Sequence, residues 1–221
     1  MAVTNTTYNR LFTDARLTQL GDSEGTTWGI STMIVAYNQA KNMLLAMRPD
    51  AFTKIEEIVL TTGSRQYLPE DGLRLFNVVR NINQNGTIGR AIRLVSMAAL
   101  DSCNPDWHVT TGTVIHEFMF DPRSPKHFYV YPSPANVGDV GMKVEIEYSA
   151  MPPDIIESNL DEFLPFDSIY DQPLIELMLY KLLSGDNEAG RNNSVHMQAA
   201  MGLLNIQSES ANANDGAKRE R

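Results

Sequence analysis

The hydrophobic period of this chain changes twice, and those changes constrain its fold more than any other feature. Up to about residue 50, and again after Pro152–Pro153, apolar residues recur at helical spacing; between 51 and 153 they alternate along short runs. In TTWGISTMIVAYNQAKNMLLAMRP, Ile30, Met33, Ile34, Tyr37, Leu44 and Leu45 form a helical stripe interrupted by Lys41. Thr26 or Thr27 is expected to cap that helix and Pro49 to end it. The earlier segment TYNRLFTDARLTQLGD repeats the stripe at Leu11, Ala15 and Leu20 and stops at Gly21.

From residue 51 the runs KIEEIVLTT, GLRLFNVVRNI, VIHEFMF, HFYVYP and MKVEIEYSA read as strands, short and rich in β-branched and aromatic residues. The last is the cleanest, with Val144, Ile146 and Tyr148 on one face and Lys143, Glu145 and Glu147 on the other. Turn residues in LPEDG, NQNGT, DPRSPK and NVGDVG separate the runs, and SMAALDSC interrupts them with one short helix. After the double proline, FLPFDSIYDQPLIELMLYKLLSGDNEAG returns to helix, with Pro173 in its first turns. That helix is apolar nearly all round, so it must be buried, either within the subunit or against neighbouring copies. NNSVHMQAAMGLLNI makes a last helix, and QSESANANDGAKRER is a polar tail without a packing pattern. The expected fold class is therefore α+β: a helical body from residues 1–50 and 154–206, an inserted antiparallel β-rich lobe (sheet or small sandwich) at 51–153, and a flexible tail at 207–221.

The net charge of −9 is gathered in one place. Between Met151 and Gly190 stand Asp154, Glu157, Asp161, Glu162, Asp167, Asp171, Glu176, Asp186 and Glu188, opposed only by Lys181, which leaves about −1 for the rest of the chain. A conventional nucleic-acid binder would carry a basic face instead. One cysteine, Cys103, excludes an internal disulfide framework and fits a reducing compartment; it is expected to be a buried structural residue. The start of the chain lacks the pattern of a signal peptide, and no apolar run is long enough for a membrane span.

Three of the four histidines fall in NPDWHVTTGTVIHEFMFDPRSPKHFYVYPSPA, residues 104–135, a stretch dense enough in functional groups to invite an enzyme reading. His108, His116 and His127 lack the spacing of a zinc site, although His116 and His127 are candidate cross-strand neighbours in the hairpin closed by DPRSPK. Neither a nucleophile elbow nor a phosphate-binding glycine motif occurs. No catalytic residue, metal site or cofactor is expected, and a metal-assisted hydrolase using these histidines is the distant alternative. The prolines and aromatics at 118–134 instead make a stiff hairpin suited to an interface, with Trp107, Phe118, Phe120, Tyr129 and Tyr131 as candidate anchors in or beneath it.

Taken in order, NPDWHVTTGTV, the FMFDPRSP strand and turn, YVYPSP, KVEIEYSAMPPD and the acidic LPFD before LIELMLYKLL resemble the head-to-tail connector adaptors of short-tailed bacteriophages, the tail tubular protein A-like or gatekeeper group. Leu100, Pro105, Asp106, Trp107, Thr111, Gly112 and Asp121–Pro122 match that pattern, and Val114 stands where a proline is common. The resemblance covers roughly residues 50–200. It implies a virion structural protein of the neck, present in the host cytoplasm during assembly. It further implies a ring of identical copies, usually twelvefold, between the portal protein and the tail nozzle or hub. Genomic DNA would pass through without sequence-specific binding, and no membrane is involved. Another neck component, such as a head-completion protein, is the nearer alternative; the long β segment favours the adaptor. On this reading Asp154, Glu157, Asp161, Glu162, Asp167, Asp171 and Glu176 are candidates to line the DNA channel. Lys218, Arg219 and Arg221 would end an arm that orders on the portal.

Overall fold

The computed structural model describes residues 6–135, 141–184 and 193–205. The fold is α+β, and the chain divides into two compact units: Met1–Ala51 with Pro152–Arg221, and Phe52–Met151.

In the helical unit, α1 (Tyr8–Ala15) is capped by Thr7, whose hydroxyl accepts from Arg10 N at 3.3 Å. It buries Tyr8, Leu11, Phe12 and Ala15, and a π-helical turn over Arg16–Leu20 carries it to Gly21. α2 (Ile30–Met47) buries Met33, Ala36, Tyr37, Ala40, Lys41, Leu44 and Leu45. Its expected cap is not used. The helix starts after Gly29, because the carboxylate of Asp22 accepts from the backbone N–H groups of Thr26, Thr27 and Trp28 at 2.8–3.1 Å and holds both threonines in the preceding loop. Both α1 and α2 pack on α4 (Asp171–Leu183). α4 buries Pro173, Leu174, Ile175, Glu176, Leu177, Met178, Leu179 and Leu182. Its all-round apolar character is thus met within the chain, and it offers no surplus face to a neighbouring copy. A last helix, α5, spans 193–205 and buries Ala200 and Leu204; Arg48 Nη1 donates to its Leu204 carbonyl at 3.1 Å.

The β unit holds a four-stranded antiparallel sheet in the order β1 (Thr53–Val59), β10 (Lys143–Ala150), β3 (Gly72–Ile82), β4 (Ile88–Ala91). A second sheet runs β2 (Arg65–Tyr67), β8 (His127–Tyr131), β7 (Glu117–Met119), β5 (Arg93–Leu94), and β6 (Thr111–Gly112) pairs with β9 (Ser133–Pro134). The alternation in β10 is realised: Val144, Ile146 and Tyr148 are fully buried, and they meet Leu75 and Val78 of β3 and Phe118, Phe128 and Val130 of the second sheet in one core. Asn81 ties that core from within. Its side-chain amide donates to the carbonyls of Arg90 and Ile115, and its oxygen accepts from Ile115 N at 2.8 Å. The lobe is not wholly antiparallel, since β5–β7 and β6–β9 are parallel. Parallel pairing needs a long crossover, and the segment carrying the short helix α3 (Met97–Cys103) supplies it between β5 and β7.

Candidate functional site

Two proline residues open the acidic connector of the helical unit. Proline brings no N–H, while its carbonyl still needs a partner. Lys41, only 1% exposed, donates from Nζ to Pro152 O at 2.8 Å, Pro153 O at 3.1 Å and Asp154 Oδ1 at 2.6 Å. One turn earlier on α2, Asn38 makes a reciprocal pair with the backbone of Ile155, at 3.1 Å and 3.0 Å. The polar interruption in the α2 stripe is therefore the residue that anchors the connector. Further along, Tyr8 N and Asn9 N, unpaired donors of the first turn of α1, donate to Glu162 O and Leu160 O, and Leu164 N donates to Thr6 O. These ties bury Ile155, Leu164, Phe166 and Tyr170 and turn the remaining side chains outward.

Five of the seven acidic candidates are on that outer surface: Asp154, Glu157, Asp161, Glu162 and Asp167. Asp154 is paired with Lys41, yet its side chain stays 70% exposed. Asp167 accepts from Ile169 N at 3.1 Å and caps the short 3₁₀ turn Ser168–Tyr170. Asp171 and Glu176 face inward instead. Asp171 is half-buried and accepts from the Thr6 hydroxyl; burial pushes its carboxyl up from the usual range, with Thr6 opposing. Glu176 is buried, held by Gln172 Nε2 at 2.9 Å and His196 Nδ1 at 2.8 Å, because its position on α4 lies within the packed face. Glu176 thus belongs to the interior of the subunit, while Asp171 stays partly exposed. Asp186, Glu188, Lys218, Arg219 and Arg221 lie outside the described residues. Composition alone did not foretell that Ile156, Phe163 and Ile169, 63%, 65% and 55% exposed, stand among the acids.

In the β unit the aromatic stretch divides between interior and surface. Trp107 and Phe118 are 0% and 1% exposed, members of the interior. Trp107 Nε1 donates to Asp101 Oδ1 at 2.8 Å, satisfying the indole where it is buried. Phe120 is half-buried and stacks on Phe118, while Tyr129 and Tyr131 are half-exposed. His116 and His127 are not neighbours: the β7–β8 register sets Glu117 against Tyr131 and Met119 against Tyr129, placing the two histidines towards opposite ends of the hairpin. His127 lies opposite Tyr67 of β2, and His108 stacks on Trp107. Among the described residues no three His, Cys, Asp or Glu side chains gather as a metal site would require, and no helix is long and apolar enough to cross a membrane. Cys103 is exposed, not buried, because α3 buries none of its residues.

This architecture coincides with a recognised family. The family model described as SU10 adaptor protein matches residues 6–220, both units and the connector included. The chain belongs to the SU10 adaptor protein family. An SU10 adaptor is a phage adaptor, a structural component of the virion. Among curated proteins no relative matches the chain.

Proposed function

We propose that this SU10 adaptor is the head-to-tail connector of its phage, of the tail tubular protein A-like kind. Copies form a closed ring, twelvefold by resemblance, between the portal protein and the tail nozzle or hub, and the ring continues the channel through which genomic DNA leaves. The observation that carries this reading is the connector surface, where Asp154, Glu157, Asp161, Glu162 and Asp167 are exposed beside Ile156, Phe163 and Ile169. Exposed carboxylates repel phosphates, so a channel lined by them lets DNA slide rather than bind. Repeated around a ring, they produce a field that reaches about 8 Å at physiological salt. The apolar residues between them call for cover. A heterologous contact repeated head to tail covers such residues on every copy and closes without leaving an open fibre end. Phe163, and not α4, is then the subunit contact.

The tail at 207–221 serves as an arm that folds on the portal, its KRER end meeting acidic groups there. Tyr129, Tyr131 and Phe120 of the hairpin serve as contacts to the tail component. Mixing the purified chain with the portal protein of the same genome and imaging the product tests the whole reading. A ring seated on the portal is expected, lost or weakened when 207–221 are deleted. A chain that stays a compact monomer beside the portal would overturn it.

A further inference from the structure

A cleft of the β unit differs in character from the rest of this acidic chain. It is lined by Thr61, Thr62, Ser64, Arg65, His108 and Tyr129, with Gly63 and Tyr67 completing it, and no carboxylate is among them. The loop 61–65 that forms its floor is held from behind by Gln66, which is 2% exposed. Gln66 Nε2 donates to Thr61 O at 2.9 Å and Gly63 O at 2.7 Å, and its oxygen accepts from Thr61 N at 2.8 Å. Ser64 O accepts from Val130 N at 2.9 Å. Three carbonyl oxygens of the loop are thereby engaged elsewhere, which removes the acceptors that would repel an anion. The loop turns through Gly63 at φ +98°, a backbone conformation that side chains disfavour.

His108 is fixed as well. His108 lies flat on Trp107, ring centroids 3.6 Å apart, and Trp107 is immobilised by burial and by Asp101. His108 Nδ1 is 2.8 Å from Ser64 Oγ, so Nε2 is the ring nitrogen that can meet a ligand. The Arg65 guanidinium sits over the Tyr129 ring, 5.8 Å from its centroid. The adjoining cleft, which shares Arg65 and Tyr129, holds Asp121, whose carboxylate is forked by Arg123 at 2.8–3.1 Å. We infer that this cleft is a phosphate-binding site, in which the Arg65 guanidinium and the His108 Nε2–H hold one phosphate group. A guanidinium beside a second N–H donor, in a cleft lined by no carboxylate, is the chemistry that selects an oxyanion. The site does not depend on the channel, and it shares Tyr129 with the hairpin contact proposed above.

The same group could arrive as inorganic phosphate or as a phosphodiester of nucleic acid, and the experiment separates them. Amide and histidine-ring NMR spectra of the full chain are followed with sodium phosphate, with sodium chloride at equal ionic strength and pH, and with a short oligothymidylate. Saturable shifts at Ser64, Arg65 and His108 with phosphate but not chloride are expected, and Arg65→Gln, a change at an exposed residue, should weaken them roughly tenfold while Arg65→Lys keeps part of the affinity. An oligothymidylate that binds more tightly than phosphate and shifts the same residues assigns the site to nucleic-acid backbone; one that binds no better assigns it to free phosphate. Equal responses to phosphate and chloride, or unchanged phosphate affinity in Arg65→Gln, would overturn the site.

Discussion

Lys41 spends its charge on backbone. Two of its three partners are the carbonyls of Pro152 and Pro153, and the third, Asp154, remains largely in water. Lys41→Met keeps the buried stem but strands both carbonyls, and should lower the stability of the chain by about 2–4 kcal/mol. Asp154→Asn removes a solvent-screened ion pair and should cost no more than about 1 kcal/mol. Urea unfolding of both variants checks the order; equal losses would mean that the ion pair dominates. Asp22 makes a second prediction. The backbone N–H of Trp28, followed by those of Thr26 and Thr27 and the Thr26 hydroxyl, holds its carboxyl below the usual carboxylate range against the opposing effect of burial. Such a group contributes stability above its unfolded pKa of about 4 and loses it as pH falls through the lower folded value. Asp22→Asn should therefore unfold at lower urea than the parent at pH 7, with the gap closing by pH 2–3. A gap that stays constant across that range would place the effect in shape rather than charge.

At the scale of elements, the residues that announce their own burial were legible. Val144, Ile146 and Tyr148 alternate because β10 is covered on one face, and of the α2 stripe Met33, Tyr37, Leu44 and Leu45 are buried and Ile30 and Ile34 half-buried. Readings that depended on distant partners were not legible. Asp22 displaces a threonine cap through hydrogen bonds to a loop, Asn81 reaches across to Ile115, and Cys103 is exposed because it stands on a helix none of whose residues is buried. The candidate site was half legible: composition located the acids, but only packing separates exposed Asp161 from buried Glu176. Gly112 shows the same limit. A Cβ there would overlap Pro132, so Gly112→Ala should destabilise the β unit by about 2 kcal/mol, measured as a shift of its thermal transition. Phe163→Asp tests the connector. Because the ring is exposed, thermal stability should change by no more than about 0.5 kcal/mol. Assembly on the portal should be lost in the same variant. Intact rings from it would remove Phe163 from the subunit contact.

For the whole molecule, charge and force are the relevant quantities. If the connector lines a DNA channel, the double variant Asp161→Lys, Glu162→Lys should still assemble. It should slow genome release, and duplex DNA should be retained by the rings with a strong dependence on salt. Release at the parent rate would take these two acids off the channel wall. A mechanical consequence lies at the root of the β unit. The chain enters it at Phe52 and leaves it at Met151, and Ala150 N donates to Phe52 O at 3.1 Å, so both stems emerge side by side from the paired end of β1 and β10. Tension shared by the two stems runs past that ladder without loading it in shear. Prying the stems apart would instead open the β1–β10 ladder one hydrogen bond at a time, starting from Thr53 and Ser149, as a zipper opens. The lobe is built to be towed and to yield when it is split.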